Sequence, residues 1–336
     1  MSSVIGVDLG GTKVAVAPLV GRHFGEPVLL PTDLSGSGAL IDQLVEMVNR
    51  VRGEELAAVG IGVPSIVEFD TGRVVSSVNV PLKDVPLRQV LGERLGVPVF
   101  VDNDATVAAL AEAHDAELRL VAHNLVMITV GTGVGGGIVL GGHIYRGSTG
   151  GAGEFGHTLV GLDLSGAVPA PTGFPQPGSL EYVAAGNALD RLVADAAAAD
   201  AQSALGRLQA EGKTVEGPEA VQAAEDGDAV AQRLIEIWAE RVGIGIANAI
   251  NTFDPDEVVI GGGAARAGER LLETAKRVAR GYIVPGLGRR TGIRLAWHGV
   301  HAGVLGAALL AVEELGSGSG AAGNTRVPSS APEARA

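Results

Sequence analysis

One local pattern occurs twice in this chain, and that repetition limits the fold more than any other feature. Near the start, "VIGVDLGGTKVAVAPLV" reads as two short apolar strands, 4–9 and 14–19, with Asp8, Gly10, Gly11, Thr12 and Lys13 at their junction. From Asn124, "NLVMITVGTGVGGGIVLGGHIY" is again strand, glycine turn, strand. Between and after them, β-like runs alternate with helical patterns, which predicts an α/β fold. Leu40, Leu44, Met47 and Val51 recur at helical spacing and predict a helix over 39–52. "PLRQVLGERLG" has Pro at its start and Gly after its end, as a short helix should. "AVAQRLIEIWAERVGIGIANAINTF" is a long helix with an apolar stripe through Leu234, Ile237, Val242, Ile246 and Ile250. The two hairpins head two halves, an internal duplication of topology rather than of sequence.

A length of 336 residues favours two domains. With only 3% aromatic residues the core must be built from Val, Leu, Ile and Ala. The formal charge of −13 argues against a nucleic-acid surface or a basic membrane-seeking face, and fits an acidic cytoplasmic protein. The absence of cysteine removes disulfides, thiolate metal sites and cysteine mechanisms. The first hydrophobic residues alternate as a strand and do not form a leader. No apolar run of about 18 or more residues suggests a membrane span. The segment 316–336 has a linker-like composition and is expected to be a disordered tail.

Three glycine turns are candidate phosphate sites. In the first, Gly6 and Gly11 have P-loop spacing, but Thr-Lys replaces Lys-Ser/Thr and a strand follows instead of a helix. It is not a P-loop. Its glycines still leave backbone N–H groups open to an anion, and Thr12 and Lys13 add a hydroxyl and a charge. Asp8 at the strand end is placed to face magnesium or its waters. The second turn, Gly131-Thr132-Gly133-Val134-Gly135-Gly136-Gly137, matches the dinucleotide glycine pattern but is followed by a strand, so a dinucleotide fold is rejected. The third, Gly261-Gly262-Gly263-Ala264, lies between a strand and a helix, where a flat ring can approach backbone.

"VDNDATVAAL" puts Asp102, Asn103 and Asp104 between a strand and an Ala-rich helix. Helix capping accounts for one of them. An Asp at a strand's C-terminal end, in a fold with phosphate turns, is a candidate base for a substrate hydroxyl. Glu154 and His157 in "GEFGH" have a spacing that lets both reach one polyhydroxylated ligand.

Asp8–Lys13, "GIGVP", "VDNDA", "GTGVGGG", "GEFGH" and "VVIGGGAA", in this order, resemble the ROK family of sugar kinases and related repressors, over nearly the whole chain. The resemblance implies an actin-like, ribonuclease-H-like ATPase fold: a small N-terminal α/β domain of residues 1–117, completed by a C-terminal helix 301–315, and a large domain 118–300, with a cleft between. It implies ATP and Mg2+ as cofactors. Gly10, Gly11, Thr12 and Lys13 would form the first phosphate loop with Asp8 near magnesium. Gly131, Thr132 and Gly133 would form the second, and Gly262, Gly263 and Ala264 would line the adenosine pocket. Asp104 matches the catalytic base. Asn79, Asn103, Gly137, Glu154, His157 and Glu181 match sugar-binding positions. A homodimer is also implied, with no nucleic acid or membrane as partner.

One departure from the family is large. Where most members carry three zinc-binding cysteines after the Gly-His, this chain has "PAPTGFPQPGSLE", with four prolines between Pro169 and Pro177. Proline stiffness is inferred to replace part of the metal's constraint. The expectation is a zinc-free protein, and stoichiometric zinc in elemental analysis of purified protein would contradict it.

The implied activity is transfer of the γ-phosphate of ATP to a sugar 6-hydroxyl. Glucose leads as acceptor; mannose, fructose, glucosamine, kanosamine and N-acetylhexosamines are alternatives, as is polyphosphate as donor. A repressor would be expected to carry a DNA-binding segment before the first phosphate loop, where only Met1–Ser3 stand here, and an acidic charge does not suit one. A non-catalytic sugar sensor would be expected to lose Asp104 or a glycine turn, and all are present.

Overall fold

The computed structural model describes residues 2–77 and 79–318, side chains through residue 316. The first hairpin is β1 (Ser3–Leu9) and β2 (Lys13–Val20), antiparallel with Asp8 opposite Ala15. Short strands β3 (His23–Phe24) and β4 (Val28–Pro31) flank β2. Helix α1 (Ser37–Val51) leads to β5 (Leu56–Val63), which pairs parallel to β1. A small hairpin, β6 (Ser65–Glu68) and β7 (Arg73–Ser77), is followed by α2 (Leu87–Leu95). The glycine expected to stop α2 does so: Gly96 sits at φ 70°, the left-handed region that glycine enters without strain. Strand β8 (Val99–Asn103) pairs parallel to β5 and runs straight into α3 (Asp104–Glu112).

The second hairpin is β9 (Leu125–Val130) and β10 (Val134–Leu140), extended by β11 (His143–Ile144). Helices α4 (Leu180–Ala184), α5 (Gly186–Ala199), α6 (Ala204–Ala210), α7 (Gly217–Glu225) and α8 (Ala229–Phe253) follow. Then come β12 (Glu257–Gly261), α9 (Gly268–Tyr282), β13 (Gly292–Leu295) and α10 (Ala302–Gly318). The strand orders are β3-β2-β1-β5-β8 and β11-β10-β9-β12-β13. Each is a hairpin meander continued by two parallel strands, so the duplication read from the hairpins extends to whole sheets.

Strand alternation directs each sheet's two faces to different helices. Ile5, Val7 and Leu9 of β1 face outward onto Leu40, Leu44 and Met47 of α1 and Leu87 and Leu91 of α2. Val126 and Ile128 of β9 pack on Trp238, Val242 and Ile246 of α8. Between the sheets lie α3 and α10, whose Ala-rich faces meet Val4 and Ala58 on one side and Met127 and Val259 on the other. This inner layer needs small residues. A Cβ on Gly6 would come within 2.0 Å of the Val304 carbonyl, and one on Gly306 within 1.7 Å of the Val107 carbonyl. This close approach of backbones leaves no room for aromatic side chains at those positions.

Two expectations are corrected here. The span Gly299–Gly316 is long and apolar enough to cross a membrane by length and composition, contrary to the sequence reading. It forms part of a core helix packed on α3, β1 and β5, which accounts for its hydropathy. The disordered tail expected over 316–336 is corrected at its first residues, because 316–318 continue α10; the rest of that expectation, 319–336, lies outside the described residues.

Candidate active site

β1, β5 and β8 run parallel, so their C-terminal ends share one edge of the first sheet, where ligands gather in α/β folds. Asp8, Gly62 and Asp102 are aligned in register across these strands. The first glycine turn closes with Gly10 N–H donating to the Lys13 carbonyl at 3.0 Å. Thr32 braces it, donating its hydroxyl to the Gly10 carbonyl at 2.7 Å. Thr12 and Lys13 are exposed at the tip, and a Cβ on Gly11 would come within 3.1 Å of Asn79. The turn and Asn79 are therefore adjacent, though a long stretch of chain separates them.

Asp8 lies under the start of α10, where even a Cβ on Gly303 would come within 2.5 Å of its carboxyl. Desolvation pushes its pKa up to about 6, against the opposing charge of Lys13. A desolvated carboxylate in no ion pair among the described residues offers one oxygen ligand of the kind a hard divalent cation takes; no cluster of three or more acidic or histidine side chains stands with it among the described residues.

The three polar residues at the junction of β8 and α3 divide their work. Asp102 is buried, pairs with Arg146 Nε at 2.7 Å and accepts the Asn103 N–H at 2.8 Å. Asn103 caps α3, accepting from the N–H groups of Ala105 and Thr106 at 3.0 and 3.1 Å, an arrangement that stabilises a helix by about 1 kcal/mol. Asp104 is left with no ion pair among the described residues. Its pKa is raised to about 6, first by desolvation and then by the charge of Asp8. Glu154 adds a smaller push in the same direction.

The α3 N-terminus lies on β10, immediately past the second glycine turn. A Cβ on Gly137 would come within 2.5 Å of the Ala105 carbonyl and 2.7 Å of Ala109 Cβ. Gly137 is thus a buried packing glycine, whose backbone is all it can offer to the sugar contact expected of it. On the other side of β10, "GEFGH" crosses so closely that a Cβ on Gly156 would meet the Val134 carbonyl at 2.2 Å and one on Gly153 the Gly136 carbonyl at 2.8 Å. That crossing carries Glu154 and His157 to the neighbourhood of Asp104, with 3.7 Å between the Glu154 carboxylate and His157 Nε2.

Glu181 reaches the second glycine turn. Its Oε2 accepts the Val134 N–H at 2.8 Å, and a Cβ on Gly133 would stand 2.6 Å from the same oxygen. Helix α4, which bears it, is fastened at both ends. Ser179 accepts from Tyr182 N–H at the start. At the end, the Tyr182 carbonyl accepts from Arg191, that of Val183 from Arg241 at 3.0 Å, and that of Ala184 from Trp238 Nε1 at 2.7 Å.

The second turn opens on a cavity of about 580 Å³. Gly131 and Thr132 form one wall and Gly263 and Ala264 another, joined by Asn187, Pro218 and Trp238. The structure therefore brings the second and third glycine turns onto one space. No other described atom beyond the chain neighbours comes within 4 Å of a Cβ built on Gly131 or Gly263, and neither has positive φ. Gly262 differs, with φ 78° and a built Cβ only 2.5 Å from the Val130 carbonyl. Sequence reasoning missed Asn187, Pro218 and Trp238, because each belongs to a different helix and none adjoins a glycine turn. It missed Arg146 as well; the buried acid at Asp102 was the available signal.

Two sheets of one strand order, a shared helix pair between them, and glycine turns gathered with carboxylates at their strand ends define an actin-like ATPase fold. The ROK family model matches residues 4–314. The chain is 35% identical over 324 residues to a glucokinase of Halalkalibacterium halodurans, covering 92% of this chain and 95% of that one. It is 33% identical over 288 residues to a putative xylose repressor of Caldicellulosiruptor sp., covering 82% of this chain and 69% of that one. A crystal structure of a ROK family glucokinase from Streptomyces griseus in complex with glucose and AMPPNP superposes with a TM-score of 0.76 at 31% identity, covering 93% of this chain and all of that one. The chain belongs to the ROK family.

Proposed function

We propose that this chain is an ATP-dependent hexose kinase that phosphorylates a sugar 6-hydroxyl, with glucose as the leading acceptor. The observation that carries this reading is Asp104, a desolvated carboxylate with its pKa raised to about 6, beside the residues carried by "GEFGH" and close to the second glycine turn. A base must be ionised yet proton-hungry near neutral pH, and this environment makes it so.

In this reading the adenosine lies in the cavity between the second and third turns, with Gly262 shaping its edge. The phosphates lie along Gly10–Lys13 and Gly131–Gly133, where backbone N–H groups and Lys13 meet their charge. Asp8 would hold magnesium, directly or through water; bound there, the ion neutralises charge building on the transferring phosphate. Asn79, Asn103, Glu154, His157 and Glu181 orient the sugar, with the backbone of Gly137 beside them. Asp104 accepts the proton of the 6-hydroxyl as that oxygen bonds to the γ-phosphorus and the bond to ADP breaks. Two lobes, 1–117 with 301–315 and 118–300, close on the pair of substrates. A cytoplasmic homodimer completes the reading, and a net charge of −13 favours small-molecule over nucleic-acid partners.

A panel of hexoses and amino sugars, assayed by coupled ADP release, tests it. Glucose is expected to give the highest kcat/KM, ahead of mannose, fructose, glucosamine, kanosamine and N-acetylhexosamines. No ADP release above background with any of them would overturn the kinase reading.

A further inference from the structure

We propose that Phe174 is a positioning residue for the acceptor sugar, acting through His157 by fixing the orientation of its imidazole. The proposal rests on the sugar-kinase reading of the cleft.

Between His157 and Glu181 the chain leaves the body of the protein as a loop, and both ends of that loop are tied. At its base, Leu180 N–H donates to the Thr158 carbonyl at 2.9 Å, and Val160 N–H to the Gly178 carbonyl at 2.8 Å. At its tip, residues 172–176 are closed by a two-way clamp. Thr172 N–H donates to Gln176 Oε1 at 2.8 Å, and Gln176 Nε2 donates back to the Thr172 carbonyl at 2.7 Å. Pro171 and Pro177 restrict the backbone on either side, and Pro175 within it.

A segment tied this way holds its side chains where the backbone puts them. Phe174, at the centre of the clamp, is 76% exposed. A large apolar ring displayed to water on a stiff turn gains little from burial, and what it does make is one aromatic contact. That contact is His157: the ring centroids are 5.2 Å apart and the planes meet at 74°, the edge-to-face geometry aromatic rings prefer. The imidazole therefore has Glu154 on one side, at 3.7 Å, and Phe174 as its aromatic neighbour. Its own side chain is 37% exposed. Without Phe174 the ring is free to turn about its side-chain torsions, and a hydrogen bond to sugar must then bear the cost of ordering it.

The test is a double-mutant cycle on sugar affinity, measured by calorimetry so that turnover is not needed, together with steady-state kinetics. Phe174→Ala is expected to raise the sugar Kd and KM roughly three- to tenfold, the effect of losing one aromatic pair. kcat and the KM for ATP stay within about twofold, because neither Asp104 nor the phosphate turns are touched. Phe174→Tyr keeps the ring and restores wild-type affinity. In a His157→Ala background, Phe174→Ala has no further effect, because the partner it acts through is gone. A general loosening of the loop would instead cost the same factor in both backgrounds, and that result overturns the proposal, as does an unchanged Kd in the single variant. Failure of the underlying reading looks different: the wild-type protein itself would bind no hexose, and both would fall.

Discussion

Asp104→Asn lowers kcat by about three orders of magnitude while the sugar Kd moves less than about threefold. The amide keeps the shape and the polar contact but cannot take the hydroxyl proton. In the wild type, kcat/KM falls as pH drops through about 6, where Asp104 protonates. The same substitution has a second, opposite signature. Because burial raises the Asp104 pKa from 3.8 to about 6, the native state holds a proton in that window that the unfolded chain releases. Stability from this group is present at low pH and lost as pH rises through about 6. At neutral pH the wild type carries the full penalty, and the neutral amide removes it. Allowing for partial exposure, Asp104→Asn is more stable than the wild type at about pH 7.5 by on the order of 1 kcal/mol, and the gain fades toward about pH 4. A variant that is inactive yet more stable fits a strained functional carboxylate. Near-normal turnover would remove Asp104 as the base, and lower stability at neutral pH would contradict the desolvation account.

Gly131→Val raises the KM for ATP by on the order of 100-fold with the fold and sugar Kd intact, because the added side chain enters the space assigned to phosphate rather than the protein. A Cβ there meets no described atom beyond its chain neighbours within 4 Å, and Gly131 does not sit at positive φ. The control is Gly137→Ala, only a few residues along the same turn and strand. Its Cβ would lie 2.5 Å from the Ala105 carbonyl, so it must push α3 away from β10 and lower the thermal midpoint. Gly131→Val with unchanged ATP kinetics would take the second turn out of the phosphate site.

These two glycines mark the limit of what the sequence makes legible. In "GTGVGGG" they look alike, and only the fold separates one facing open cleft from one under a helix. The hairpins themselves were readable because period-2 apolar runs flank glycines; the strand order of the two sheets appears only in the fold. The roles within "DND" were half readable: capping was expected, but the Arg146 partner of Asp102 comes from a segment 44 residues away, and proximity of that kind leaves no local pattern. The C-terminal helix was expected from the family resemblance, but the apolar length that would let it pass for a membrane span was overlooked, and it is explained by α3 and the two sheets that surround it. In the loop before Glu181, prolines signalled stiffness, but the Thr172–Gln176 clamp and the His157–Phe174 contact depend on how the turn folds back.

The central claim is that Asp104 and the two glycine turns transfer phosphate to a sugar hydroxyl. Incubating the wild-type protein with magnesium, glucose and ATP labelled in its γ-phosphate, then separating the products, tests it most directly. The label is predicted to appear in glucose 6-phosphate, and Asp104→Asn to abolish the transfer. Label found only in inorganic phosphate, or remaining in ATP with every hexose offered, would contradict it.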